Sequence, residues 1–99
     1  MKVIYHPEVE EKIRSLPDED RARVVKVIDL FSDYKFRLTQ IYLKKITKDI
    51  WELRGGRYRL LFGIIDRNII VVTMFRKQTQ RTPIREIKLA VRRFKDYEI

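Results

Sequence analysis

The amino-acid sequence predicts an α+β fold. The expected sheet is small, curved and mostly antiparallel, and it consists of an N-terminal strand and a three-strand meander. An N-terminal helical hairpin covers one face, and a C-terminal helix completes the fold. Apolar residues recur at helical spacing before residue 32 and after residue 83, whereas strand-length apolar runs separated by turn sequences lie between them. We expect one domain, residues 1–99, because a chain of this length can bury only a single modest core.

A short strand and two helices open the predicted order. The segment "MKVIYHP" alternates apolar and polar residues and ends at Pro7, where the first helix is expected to begin. Its apolar residues recur every three or four positions up to Leu16. The segment "LPDED" then breaks this helix, and a second helix is expected to be capped near Asp18 and to run to about Phe31. Two short antiparallel helices joined by a tight turn are suited to lie on a sheet.

A meander of three strands follows a connection. Residues 33–49 have no clear period and are expected to be a connection able to hold a short helix. "IWELR" then alternates, Gly55 and Gly56 form a predicted two-residue turn, and "RYRLLFGII" leads through "DRN" into "IIVVTMFRK". The last two strands are apolar on both faces, which indicates that both faces are covered.

The last helix is expected to have Thr82 as its N-cap and Pro83 at its first helical position. One of its faces is apolar and presents Ile84, Ile87, Val91 and Phe94. Another face repeats the same spacing with the basic residues Arg85, Lys88, Arg92 and Lys95. This basic stripe fits a polyanion, and a solvated amphipathic helix is the alternative interpretation.

The positive charge is concentrated in the second part of the chain. The net charge is +9, residues 1–40 hold eight Lys and Arg against eight Asp and Glu, and residues 41–99 hold fifteen against six. Clustered basic residues attract a polyanion, most simply nucleic acid, by neutralising its phosphates. The alternative, a basic surface that serves solubility, predicts a more even distribution.

Residue composition restricts the available chemistry. The chain has no cysteine and one histidine, which excludes disulfides and thiolate zinc sites and makes a histidine-based centre improbable. We therefore expect neither a metal nor a cofactor. The apolar runs are too short to cross a membrane, and the N-terminus lacks the layout of a signal peptide. These features predict a cytoplasmic protein without a membrane partner.

Four basic residues are expected to meet at one end of the sheet. Arg57 and Arg59 project together from one strand, and in a meander Arg76 and Lys77 return beside them. Such a cluster can hold a phosphate, and crowded cations disfavour one another's charged states, so that a lysine there can exchange protons. The alternative is structural: Glu52 on the neighbouring strand neutralises Arg59.

Three motifs carry a resemblance to a known family. They are "WELR", the Arg-Tyr-Arg start of the next strand, and the run "RKQTQRTP" before the last helix. Over residues 43–97 the sequence resembles the RelE/ParE toxin superfamily, and most of all its HigB-like, phage-derived host-inhibition branch. The resemblance implies a small curved sheet with a helical hairpin, cleavage of mRNA in the ribosomal A site, and inhibition by a cognate antitoxin.

The resemblance also implies roles for the residues that match. Arg59 matches the strand arginine that contacts the scissile phosphate, and Arg76 with Lys77 matches the basic pair after the last strand. We expect the two arginines to stabilise the charge that develops when a ribose 2′-OH attacks its own 3′ phosphate, and Lys77 to exchange protons. The general base stays open, because Gln78 stands where the family often has a second lysine and the C-terminal histidine of some members is absent. Glu86 is a second candidate, with the alternative role of complementing the helix dipole.

Further RNA contacts are expected around these three residues. Tyr97 matches a C-terminal tyrosine that stacks on or orients the cut nucleotide in many members of the family. The other expected RNA-binding residues are basic: Arg57, Lys45, Lys48, Arg81, Arg85, Lys88 and Arg92.

Two other functions remain open for such a sequence. A ParE-like inhibitor of DNA gyrase would have the same fold without nuclease activity, although the intact set of Arg59, Arg76 and Lys77 argues against it. A non-catalytic RNA-binding module would bind through the basic residues and tyrosines alone. The expected partners are the ribosome, mRNA and a cognate antitoxin of acidic or helix-turn-helix type.

Overall fold

The structure is a computed structural model that describes residues 2–99. Within these residues the elements follow in the order β1 (Val3–Tyr5), α1 (Pro7–Arg14), α2 (Asp18–Tyr34), a 3-10 turn (Lys35–Arg37), β2 (Leu43–Lys45), β3 (Trp51–Gly55), β4 (Tyr58–Ile65), β5 (Asn68–Arg76) and α3 (Ile84–Tyr97). One sheet has the strand order β1-β5-β4-β3-β2, in which β1 is parallel to β5 and the other neighbours are antiparallel. The predicted α+β class, with a strand, a helical hairpin, a meander and a C-terminal helix, is confirmed.

The segment expected to be a connection contains an additional strand. Residues 33–49 contain a short 3-10 turn, which agrees with the short helix that the prediction allowed. They also contain β2, which pairs with β3 so that Lys44 lies opposite Glu52. Only Leu43 of this strand is buried. A strand of three residues with one buried side chain has no detectable alternation, and it forms because the edge of β3 offers backbone partners.

The ends of two elements differ from the prediction by a few residues. The helix α2 continues beyond Phe31 to Tyr34. The turn between β3 and β4 consists of Gly56 and Arg57, since Gly55 is the last residue of β3 and still pairs with Tyr58 of β4. Gly56 has a φ of 60°, which explains the glycine at that position.

The helix caps also differ, because proline occupies the N-cap of both longer helices. Pro17 precedes α2, which begins at Asp18, and Pro83 precedes α3, which begins at Ile84. Thr82 therefore lies outside α3, and its hydroxyl donates to Glu52 instead of capping the helix.

Helices cover both faces of the sheet, as the apolar strands predict. On the face covered by α1 and α2, here called the hairpin face, the core contains Val24, Val27 and Phe31 of α2 against Leu53, Leu60 and Phe62 of the sheet. On the opposite face, called the α3 face, it contains Ala90 and Phe94 of α3 against Leu61, Ile70 and Val72. The alternation of the strands thus assigns each side chain to one of two separately covered faces.

Candidate functional site

The site end of the sheet is where β4 begins and β5 ends. Tyr58 lies opposite Arg76, and Arg59 lies opposite Phe75. The backbone N–H of Lys77 donates to the carbonyl of Arg57 at 2.7 Å, so the pairing continues one residue beyond β5. These contacts fix the point at which the basic segment leaves the sheet.

A small cleft lies on the α3 face at this end. Its floor comes from β3, β4 and β5, and its wall is residues 77–82. Among the residues that line the cleft are four cations from three parts of the chain: Arg54, Arg59, Lys77 and Arg81. The carboxylate of Glu52 also lines the cleft, so four positive charges face one negative charge, and this net positive charge suits an anion such as a phosphate.

Arg59 is partly buried and held by backbone carbonyls. Its Nη1 donates to the carbonyls of Gly56 and Tyr58, each at 2.9 Å. Burial lowers the pKa of Arg59, the charge of Glu52 acts in the opposite sense, and Arg54 lowers the pKa further. Within residues 2–99 no carboxylate forms an ion pair with Arg59. Its guanidinium remains charged in proteins, so the site holds a positive charge without a direct counterion.

Glu52 is paired with Arg54 and not with Arg59. Its Oε1 accepts a hydrogen bond from Arg54 Nε at 3.2 Å, and its Oε2 accepts one from the Thr82 hydroxyl at 2.7 Å. The structural alternative in which Glu52 neutralises Arg59 is therefore wrong, because the arginine that forms an ion pair with Glu52 is Arg54. Arg54, whose Nη1 also donates to the carbonyl of Gln40 at 3.3 Å, is a site residue that the sequence analysis missed. Its position two residues after Glu52 and across the turn from Arg59 was the available signal.

Arg76 lies on the other face of the sheet. Its cross-strand partner Tyr58 packs against the core of the hairpin face, and Arg76 lines a separate groove with Glu11 and Lys12 of α1. The expectation that Arg76 and Lys77 lie together beside Arg59 is therefore wrong for Arg76. Consecutive strand residues point to opposite faces, which leaves Lys77 as the member of the pair that lines the cleft.

The remaining residues expected to bind RNA surround the cleft at different distances. Arg57 is exposed in the turn next to Lys77, and Arg81 lies in the cleft wall. Lys45 lies opposite Trp51 on the hairpin face, with Nζ 5.4 Å from the centre of the Trp51 ring.

Other members of that set lie farther along the fold. Lys48 is exposed in the connection from β2 to β3, at the end of β3 away from Arg54. Arg85 borders a groove with Arg76, whereas Lys88 and Arg92 are exposed farther along α3.

Tyr97 does not approach the cleft. It is the last residue of α3, a helix of 14 residues that begins near the cleft wall and is about 21 Å long. Its side chain packs against the core of the α3 face. Stacking of Tyr97 on a nucleotide bound in the cleft does not fit this geometry.

Neither a metal-binding cluster nor a membrane-spanning helix is formed by residues 2–99. No cluster of His, Asp and Glu in that range could hold a metal ion. None of the helices formed by the described residues is both long and apolar enough to span a membrane. The chemistry available in the cleft is that of arginine, lysine and a buried carboxylate.

Comparison with known proteins identifies the fold and the family. The family model "Phage derived protein Gp49-like (DUF891)" matches residues 11–95. No curated protein sequence matches the chain significantly.

Solved structures of RelE proteins have the same fold. A chain of the archaeal RelE–RelB complex from Pyrococcus horikoshii OT3 is 21% identical, with a TM-score of 0.61 over 76% of this chain and 92% of that chain. A chain of the RelBE2 toxin–antitoxin complex of Mycobacterium tuberculosis is also 21% identical, with a TM-score of 0.61 over 77% and 96%. The isolated RelE toxin of E. coli is 16% identical, with a TM-score of 0.62 over 94% and 97%.

These matches agree with the motifs in the sequence. The resemblance to the RelE/ParE superfamily is confirmed, and the HigB-like branch stays a prediction. Because the family model spans most of the chain, the protein belongs to the phage-derived Gp49-like family, and its own fold is that of the RelE structures.

Proposed function

We propose that the protein is the toxin of a type II toxin–antitoxin system and that it cleaves mRNA on the ribosome. The observation that carries this proposal is the cleft lined by Arg54, Arg59, Lys77 and Arg81, in which no carboxylate of residues 2–99 forms an ion pair with Arg59. Similar structures were solved as toxins or with RelB antitoxins, which supports a cognate antitoxin as the partner of this chain.

The proposed reaction is attack of a ribose 2′-OH on the adjacent 3′ phosphate, with departure of the 5′ oxygen. Arg59 is suited to stabilise the charge on the phosphorane, since its guanidinium is held by two backbone carbonyls and its partial burial strengthens electrostatic interactions. Arg54 takes the second stabilising role that the sequence analysis gave to Arg76, because Arg54 lines the cleft and Arg76 does not.

Lys77 is proposed to exchange protons with the 2′-OH or the leaving 5′ oxygen. It follows the last residue of β5, its backbone is fixed by Arg57, and its exposed side chain has freedom to follow the reacting atoms. Glu86, the second candidate base, lies in a groove with Arg76 and Arg85 outside the cleft. We therefore assign the proton transfer to Lys77.

The test is primer extension on one defined mRNA in a reconstituted translation reaction. We expect cuts within the reading frame that require ribosomes and that fall by about 10² to 10⁴ in rate with Lys77→Ala. Lys26→Ala is the matched control, because Lys26 is an exposed lysine of α2 on the other side of the molecule from the cleft.

Two outcomes would contradict the proposal. Equal cleavage by Lys77→Ala and the wild-type protein would remove Lys77 from the chemistry. Absence of cuts with the wild-type protein, with or without ribosomes, would favour a ParE-like inhibitor or a non-catalytic RNA-binding module.

A further inference from the structure

Glu52 is a buried acid beside a basic cleft. It is 2% exposed, and each of its two oxygens has one side-chain partner, Arg54 on its own strand and Thr82 thirty positions later in the chain. A buried carboxylate is stable only when its oxygens are hydrogen-bonded. These two contacts therefore join β3 to the segment that forms the cleft wall.

We propose that Glu52 is a positioning residue for the phosphate-binding cleft. It orients the guanidinium of Arg54 and, through Thr82, anchors the end of the segment 77–82. Cations from a strand and from a loop are then held on the same side of the sheet. This inference rests on the proposed function, since a fixed arrangement of cations is needed only where one phosphate is held for reaction.

The wall of the cleft is fixed at both ends. At its start, the N–H of Lys77 donates to the carbonyl of Arg57, and at its end the Thr82 hydroxyl donates to Glu52. Between them, the Thr79 hydroxyl donates to the carbonyl of Arg81 at 2.9 Å. Among residues 2–99, the hydrogen bond from Thr82 to Glu52 is the one side-chain hydrogen bond that joins this segment to the sheet. The positions of Lys77 and Arg81 relative to Arg59 thus depend on that contact.

Stability alone does not explain a carboxylate at this position. Glu52 lies opposite Leu61, a fully buried residue of the core on the α3 face. An apolar side chain could extend that core, and replacing a buried ion pair by apolar residues is often neutral or stabilising. What an apolar side chain cannot do is hold Arg54 and Thr82 in one geometry. The contacts therefore favour orientation as the role of Glu52.

Two substitutions separate the two contacts. Thr82→Val removes the hydroxyl and keeps the shape of the side chain, which releases the wall from Glu52. Thr82→Ser keeps a hydroxyl at this position and should therefore keep the hydrogen bond to Glu52. Glu52→Gln keeps an oxygen for Thr82 and removes the charge that holds Arg54. Asp66→Asn is the control, since it removes one carboxylate charge in the turn at the other end of β4, where the φ of 50° suits asparagine.

Amide hydrogen exchange of Lys77, whose N–H is held by the carbonyl of Arg57, and cleavage of the defined mRNA are measured for each variant. We expect Thr82→Val to increase exchange of the Lys77 amide by about tenfold or more and to lower cleavage by about 10- to 100-fold without changing exchange of the sheet interior. Thr82→Ser should restore both values, and Glu52→Gln should lower cleavage with a smaller change in exchange.

The two readouts distinguish failure of this inference from failure of the proposed function. Unchanged exchange in Thr82→Val, or no restoration in Thr82→Ser, would overturn the anchor even if the protein cuts mRNA. Equal cleavage by Glu52→Gln and Asp66→Asn would overturn the role of Glu52 in orienting Arg54. A wild-type protein that makes no cuts would overturn the proposed function, and exchange in Thr82→Val would then decide the anchor alone.

Discussion

The ring of Phe94 in α3 packs directly on Gly63 of β4, and Gly63→Ala tests whether this contact sets the position of α3 on the sheet. A Cβ atom at Gly63 would lie 2.5 Å from Cζ of Phe94 and 2.9 Å from the carbonyl oxygen of Asp49. Phe94 is 4% exposed, so its ring has little space to move aside. Overpacking of a core costs typically 1–3 kcal/mol, and alanine returns roughly 0.5–1 kcal/mol relative to glycine in a strand. We expect a net destabilisation of about 1–2 kcal/mol, which corresponds to a loss of roughly 5–15 °C in Tm for a chain of this length.

Urea denaturation followed by the fluorescence of Trp51, the single tryptophan, measures this effect. Phe94→Leu and the double variant complete a thermodynamic cycle. Because leucine removes the clash with the ring, although not the contact with the carbonyl of Asp49, the double variant should be more stable than the sum of the single changes predicts, by about 1 kcal/mol. Additive free energies, or a Gly63→Ala variant as stable as the wild-type protein, would refute the argument that this contact sets the position of α3.

Two further predictions concern the site and the helix α1. Arg76→Ala should lower mRNA cleavage by less than about tenfold, whereas Arg59→Ala should lower it by about 10²- to 10³-fold, because only Arg59 lines the cleft; equal losses would place the phosphate elsewhere. Burial and the charge of Arg93 lower the pKa of His6, whose Nδ1 accepts the N–H of Glu8 at the start of α1. Neutral His6 therefore stabilises the folded protein. This stabilisation is complete above the pKa of histidine in the unfolded chain, about 6.5, and is lost as the pH falls through the lower pKa of the folded protein. Urea midpoints between pH 7.5 and 5 should therefore fall less in His6→Asn than in the wild-type protein, and parallel curves would contradict this role of His6.

The sequence was sufficient for the elements whose side-chain period is long and regular. α2 and α3 bury apolar residues at helical spacing, whereas β4 and β5 bury continuous apolar runs bounded by turns, so the pattern indicates the type of each element. β2 could not be predicted, since its three residues include one buried side chain and its pairing depends on β3. The caps were misplaced because Pro17 and Pro83 adopt extended backbone before each helix and displace the usual hydroxyl or carboxylate cap.

The site was partly predictable for a related reason. A tight turn between β3 and β4 sets the register, and therefore Arg59 and the residues after β5 meet in the structure as expected. The alternation of side chains along a strand already implied that Arg76 and Lys77 face opposite sides of the sheet, whereas the predicted cluster placed both residues beside Arg59. The place of Arg81 depends on the hydrogen bond between Thr82 and Glu52, which joins segments thirty residues apart. No local pattern contains that information.

The distribution of charge in the cleft favours binding over the stability of the free protein. Glu52 lies on the same face as Arg59 and its negative charge acts on it, yet both of its oxygens are taken by Arg54 and Thr82. Among the described residues, 2–99, Arg59 is therefore left partly buried and without an ion pair, beside the like charge of Arg54, an arrangement that disfavours its charged form. An anion in the cleft would remove this unfavourable term. Under the proposed reaction this anion is the phosphate being transformed, so the free energy released on binding acts at the reacting group.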